Sequence, residues 1–136
     1  MLFRSANIHV INAESGAEAA AQAYAPVVEQ ARPFDLVLLG MGEDGHTASL
    51  FPGQQHTADE LVHAVHDAPK PPPDRVSLGR AALNAAAEVL VMVSGVGKHA
   101  AVQCWKRGDD LPVARIHGQT GVYVYIDKVA DTGVAA

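Results

Sequence analysis

Residues 34–53 read FDLVLLGMGEDGHTASLFPG, and this stretch decides the fold. An apolar run at 36–39 breaks at once into a loop with glycine at 40, 42 and 45, carboxylates at Glu43 and Asp44, and a histidine at 46. A run that is apolar throughout reads as a parallel strand covered on both faces. Thr47-Ala48-Ser49-Leu50-Phe51 reads as a short helix, stopped by Pro52-Gly53. A strand opening through a tight glycine loop presents backbone N–H groups at its carboxyl end, where open α/β sheets bind ligands. The loop is therefore the candidate active site.

Toward the N-terminus, residues 8–11 read as a short strand and 15–31 as a helix. Ser15 is placed to cap that helix and Glu18 to complete a capping box. Its alanines favour helix, while Pro26 predicts a kink or interruption. Toward the C-terminus, 61–65 reads as a strand, and the prolines at 69, 71, 72 and 73 predict a stiff, extended connector over 68–73. Residues 76–78 continue as a strand and 80–87 as an alanine-rich helix. A second wholly apolar strand follows at 89–93. Ser94-Gly95-Val96-Gly97-Lys98 closes it, and a helix over 99–107 runs up to Gly108. The last strand is Gly121–Ile126, and the tail beyond Asp131 reads as frayed. Strands alternating with helices imply a parallel, Rossmann-like α/β sheet in one domain spanning 1–136.

Composition narrows the function. The chain has 136 residues, 49% hydrophobic and 18% charged, which is the balance of a globular domain. A net charge of −5 with no basic run gives no electrostatic footprint for nucleic acid. The apolar runs are too short to span a membrane, and Cys104, alone, forms no internal disulfide. With no apolar core of signal-peptide type in MLFRSANIHV, the expected location is cytoplasmic.

Gly40, Gly42 and Gly45 satisfy the spacing G-x-G-x-x-G, yet Glu43 and Asp44 would set negative charge against a pyrophosphate, so dinucleotide binding is rejected. His46 beside Asp44 is a candidate general base with an orienting carboxylate. No second histidine or cysteine stands at metal-ligand spacing, and no metal is expected. The loop Gly95-Val96-Gly97-Lys98 sets an ammonium group at a helix start, which suits a phosphate monoester. It is not a Walker A loop, because Met92 and His99 stand where that motif needs glycine and Ser or Thr. Arg75 is a second candidate anion ligand.

The segments GMGEDGHTASLFPG, DAPKPPPDRVSL, ALNAAAEVLVMVSGVGK and VYVYID together resemble the 6-phosphogluconolactonase family over nearly the whole chain. The resemblance implies a Rossmann-like α/β fold shared with glucosamine-6-phosphate deaminase. It also implies cofactor-free and metal-free hydrolysis of 6-phosphogluconolactone in the pentose phosphate pathway. Carried onto this chain, it makes His46 the general base and Asp44 its positioning partner, with Gly42, Gly45, Arg75 and Lys98 around the substrate and its phosphate. Family members are longer at the N-terminus, where a glycine/serine-rich phosphate loop and an Asp-Glu-Arg segment lie. Neither occurs here, so the chain is expected to lack the opening strands of the sheet and part of the phosphate site, and to self-associate through the uncovered edge. Ser77-Leu78-Gly79 replaces a Thr-Leu-Thr run. A deaminase is disfavoured because Leu50-Phe51-Pro52 stands where that relative has Asn-Glu-Pro with its catalytic acid. The remaining alternative is a non-catalytic remnant that binds sugar phosphate.

Overall fold

The computed structural model describes residues 5–134. Three parallel strands form the sheet in the order β1-β4-β5: Leu36–Gly40 (β1), Glu88–Val93 (β4) and Gly121–Ile126 (β5). The apolar runs at 36–39 and 89–93 thus become adjacent strands. Val89, Val91 and Val93 of β4 point into the core with Val37 and Leu39 of β1. There they meet Leu83 and Ala86, the helix His99–Lys106 (α3) through Ala101 and Val102, and the short helix Lys128–Thr132 (α4) through Ala130.

Burial follows a period of two in β1, and this corrects the expectation of a strand covered on both faces. Leu36 and Leu38 are 49% and 58% exposed, because no element of the described chain packs on that side of the sheet. Register extends the exposed face sideways, since Leu38 stands beside Leu90 and Tyr123, and Gly40 beside Met92 and Tyr125.

The chain between β1 and β4 is not a continuation of the parallel sheet. Val62–Val65 (β2) and Arg75–Leu78 (β3) pair antiparallel, and the helix Ala17–Ala31 (α1) packs on them through Ala21, Val28 and Tyr24. Phe34 contributes to both hydrophobic clusters and joins this unit to the sheet. The proline segment is the loop of that hairpin rather than an extended connector. The Ala68 N–H donates to the Pro73 carbonyl (2.9 Å), and the Arg75 guanidinium donates to the carbonyls of Lys70, Pro71 and Pro72. Prolines can accept but not donate, so a side chain with several donors is what folds such a loop back.

Four further expectations change. Residues 8–11 form no strand: Ile8 and Val10 are exposed, and the segment is tied down by the Tyr24 hydroxyl donating to the His9 carbonyl. Ser15 does not cap α1. Its hydroxyl donates to the Asn12 carbonyl inside a short 3₁₀ turn, Gly16 occupies the cap position, and Glu18 reaches His66 instead (3.1 Å). Pro26 lies inside α1, which runs on as one element to Ala31. The helix Arg80–Asn84 (α2) ends early, because the Ala87 N–H donates to the Phe34 carbonyl (2.8 Å) and the Glu88 N–H to the Asp35 carbonyl (3.1 Å) rather than back into the helix. At the other end α4 is capped by the Asp127 carboxylate accepting from the Ala130 N–H (2.7 Å); of the tail read as frayed only Thr132 belongs to it, and residues 135–136 lie outside the described residues. Among the described residues no helix is long and apolar enough to cross a membrane.

Candidate functional site

The loop after β1 is built by hydrogen bonds that each turn the chain toward His46. The Gly42 N–H donates to the His46 carbonyl (2.8 Å), the Gly45 N–H to the Gly42 carbonyl (3.1 Å), and the Thr47 hydroxyl to the Gly40 carbonyl (2.7 Å). Residues 47–51 form a tight turn with a bridge between Thr47 and Leu50 rather than the expected helix. Buried Ser77 holds the turn open, its hydroxyl accepting from the Ser49 N–H (3.0 Å) across 28 positions of sequence.

Two glycines are required by this geometry. Gly45 has φ +80°, and a Cβ there would also press on Leu111 at 2.9 Å. At Gly42 a Cβ would overlap the His46 ring and crowd the Asp44 carboxylate. Their first role is to let the loop close around the histidine.

His46 is fixed on three sides. Its Nδ1 lies 2.5 Å from Asp44 Oδ1, the same oxygen accepts from the His46 backbone N–H (3.1 Å), and the ring packs against buried Phe51 at 4.6 Å between centroids. With Nδ1 donating to the carboxylate, the free lone pair of the neutral ring is on Nε2. Partial burial of the Asp44 carboxyl works to raise its pKa, but the hydrogen bonds from His46 outweigh it and hold the group below the usual carboxylate range.

A cavity of about 400 Å³ opens beside this pair, lined by Gly40, Gly42, His46 and Ala48 from the first loop and by Lys98 from the second. Lys98 thus faces the histidine across the carboxyl ends of β1 and β4. Asp127 shapes the second loop, accepting from the Ser94 hydroxyl (2.6 Å) and the Gly95 N–H (3.0 Å).

Arg75 stands outside the cavity lining. Its guanidinium lies over the Phe51 ring at 5.3 Å and spends its donors on the proline-loop carbonyls. That loop carries a residue which sequence reading left without a role: Lys70 lines the cavity and pairs with Glu43 at 2.8 Å. The lysine stands within the quoted segment DAPKPPPDRVSL, but nothing local says that its neighbours turn it toward residue 43. Among the described residues, no three His, Cys, Asp or Glu side chains form a group able to hold a metal ion.

A parallel α/β sheet with a carboxylate-oriented histidine and lysines at the carboxyl ends of its strands gathers a base and cations where open α/β sheets bind ligands. Residues 1–125 match the family described as glucosamine-6-phosphate isomerases/6-phosphogluconolactonase, and the chain belongs to it. It is 39% identical over 124 residues to 6-phosphogluconolactonase of Rattus norvegicus, covering 83% of this chain and 48% of that protein. Against 6-phosphogluconolactonase of Homo sapiens it is 38% identical over 132 residues, covering 88% and 51%. The crystal structure of 6-phosphogluconolactonase from Thermotoga maritima superposes with a TM-score of 0.83 at 29% identity, over 92% of this chain and 58% of that one. The chain spans about half the length of the curated relatives it matches.

Proposed function

We propose that the chain hydrolyses 6-phospho-D-glucono-1,5-lactone to 6-phosphogluconate, with His46 as general base. The single observation that carries this reading is the Asp44–His46 pair at 2.5 Å on the wall of a cavity that also holds Lys98 and Lys70. Nε2 takes a proton from water as its oxygen attacks the lactone carbonyl. The tetrahedral oxyanion then collapses, the C1–O5 bond breaks, and the imidazolium returns the proton to the departing ring oxygen. Asp44 keeps the ring in the required tautomer and stabilises the imidazolium. Lys98 and Lys70 are placed to meet the phosphate dianion, and Gly42 and Gly45 allow the substrate close to the backbone. Arg75 acts at one remove, by shaping the loop that presents Lys70.

The small-molecule substrate needs no nucleic acid or membrane, and the lone thiol of Cys104 suits a reducing, cytoplasmic location. We also propose that the exposed apolar face of the sheet associates with a second copy of the chain, as Leu38, Met92 and Tyr125 are each more than half exposed on one continuous surface.

The test is a lactone-hydrolysis assay on the purified chain, corrected for spontaneous ring opening, with calorimetric binding of 6-phosphogluconate alongside. His46→Ala should lose roughly 10²-fold or more in turnover while still binding product. Product binding without turnover in the parent would leave the non-catalytic, sugar-phosphate-binding reading. Full turnover in His46→Ala would remove the histidine from the mechanism.

A further inference from the structure

We propose that a second cavity, bounded by Phe51 and distinct from the one that holds His46, binds a small anion carrying at least one hydroxyl group. The cavity measures about 270 Å³ and brings Arg80, Arg115, His56 and Gln54 around an apolar wall of Phe51 and Pro112. None of these residues lines the cavity beside His46.

The charges identify the ligand's head group. Arg115 is held by Asp110, its Nε 2.6 Å from the carboxylate. The Arg80 guanidinium has no hydrogen bond or ion pair among the described residues; it lies within the field of Asp110 and lines the cavity. Glu60 lies close enough to act on His56 without lining the cavity, which leaves the lining cationic. A planar, weakly hydrated guanidinium on a cavity wall recognises phosphate or carboxylate.

The uncharged groups identify the rest of the ligand. Gln54 Oε1 and His56 Nε2 are buried and have no hydrogen-bond partner among the described residues. An amide oxygen can only accept, so it calls for a donor, and a hydroxyl supplies one. His56 is backed by His63, stacked at 3.9 Å between ring centroids and itself 3% exposed with both ring nitrogens unpartnered. Burial lowers the pKa of His56, with Arg80 adding to it and Glu60 opposing, so the neutral ring offers one donor and one acceptor. Buried polar atoms without partners carry a standing desolvation cost, which a hydroxylated ligand offsets and an apolar ligand does not. Phe51 lines this cavity and also packs on His46, so occupancy is felt at the histidine ring.

The experiment is a ¹H–¹⁵N titration of the whole chain, side-chain amides included, with glycerol 3-phosphate and separately with D-glycerate. The Gln54 side-chain amide and the backbone N–H groups of His56 and Arg80 should shift and saturate with at least one probe, and the probe that saturates them names the head group. These shifts should survive Lys98→Ala. Arg80→Leu should weaken them roughly ten-fold or more, the scale of a lost charge-assisted contact, and Arg80→Gln serves if the leucine variant fails to fold. Gln54→Leu should weaken glycerol 3-phosphate but leave sulfate, which has no hydroxyl to donate, unchanged. Shifts confined to residues 42–46 and Lys98 and abolished by Lys98→Ala, or no saturation with either probe, would overturn the second site while leaving the lactonase reading in place.

Discussion

The Glu43 carboxylate lies 2.8 Å from the Lys70 ammonium and packs against Gly97, where a Cβ would approach its Oε1 to 2.9 Å. Its pKa is held below the usual range first by the hydrogen bond from Lys70 and then by the fields of Lys70 and Lys98. Glu43 therefore bears on both cavity lysines and partly cancels them. Glu43→Gln should tighten 6-phosphogluconate binding by roughly two- to five-fold at low salt, with the gain fading as salt screens it. Unchanged or weaker binding in calorimetry would mean that Glu43 positions the lysines more than it neutralises them.

Lys98 and Lys70 differ in a way that binding can read. Lys98 has no ion pair among the described residues, whereas Lys70 is paired with Glu43. Lys98→Ala should weaken 6-phosphogluconate roughly ten-fold or more, and Lys70→Ala clearly less, because the Lys70 ammonium is already shared with Glu43 and offers the phosphate only part of its charge. Equal affinity of Lys98→Ala and parent would return Lys98 to an ordinary surface lysine.

Much of this site was legible in the sequence, and the reason is physical. Runs 36–39 and 89–93 are apolar enough to be strands in any context, and the glycine loops after them, with His46 and Lys98, sit at the strand ends where ligands bind. What could not be read depends on partners far along the chain. Residues 47–51 have helical propensity, but the Ser77 hydroxyl takes the Ser49 N–H and the Thr47 hydroxyl takes the Gly40 carbonyl, so the segment turns instead. Capping chemistry at Ser15 and Glu18 was outcompeted by Asn12 and His66. Four prolines suggested a rod, yet Arg75 supplies the donors that fold them into a hairpin loop and so bring Lys70 to the cavity.

His63 gives the fold an acid limit. Burial first, and the neighbouring His56 second, lower its pKa to about 4. An unfolded histidine takes a proton near 6.5. Below that pH the unfolded chain binds a proton that the folded chain refuses, so stability falls from 6.5 down to about 4 and this contribution then levels off. The full loss is about 3 kcal/mol, taking 1.36 kcal/mol per pH unit between the two values. In urea unfolding at pH 7 and pH 4.5, His63→Leu should show a drop smaller than the parent's by roughly 2–3 kcal/mol. Equal drops in both proteins would place the acid sensitivity elsewhere.

The exposed sheet face sets the last expectation. Leu36, Leu38, Met92, Tyr123 and Tyr125 are between 49% and 64% exposed, and strand register places four of them in two adjoining rows across β1, β4 and β5. Among the described residues strand β1 is also a sheet edge, where another chain can add backbone pairing. Apolar area is driven out of water in proportion to its size, and a face this continuous is too large to leave uncovered at no cost. In sedimentation velocity the chain should therefore run heavier than its 14.2 kDa, increasingly so with concentration. Replacing Leu38 and Tyr125 by lysine removes apolar area from both outer strands of that face without touching the core, so the double variant should sediment as a monomer with an unchanged far-ultraviolet circular dichroism spectrum. Tyr125 shares a row with Met92 and Gly40, the last of which lines the His46 cavity, so a change in lactone turnover that follows the monomer–oligomer balance would locate the interface at that end of the sheet. A parent chain that stays monomeric across the whole concentration series would show that this face needs no second copy.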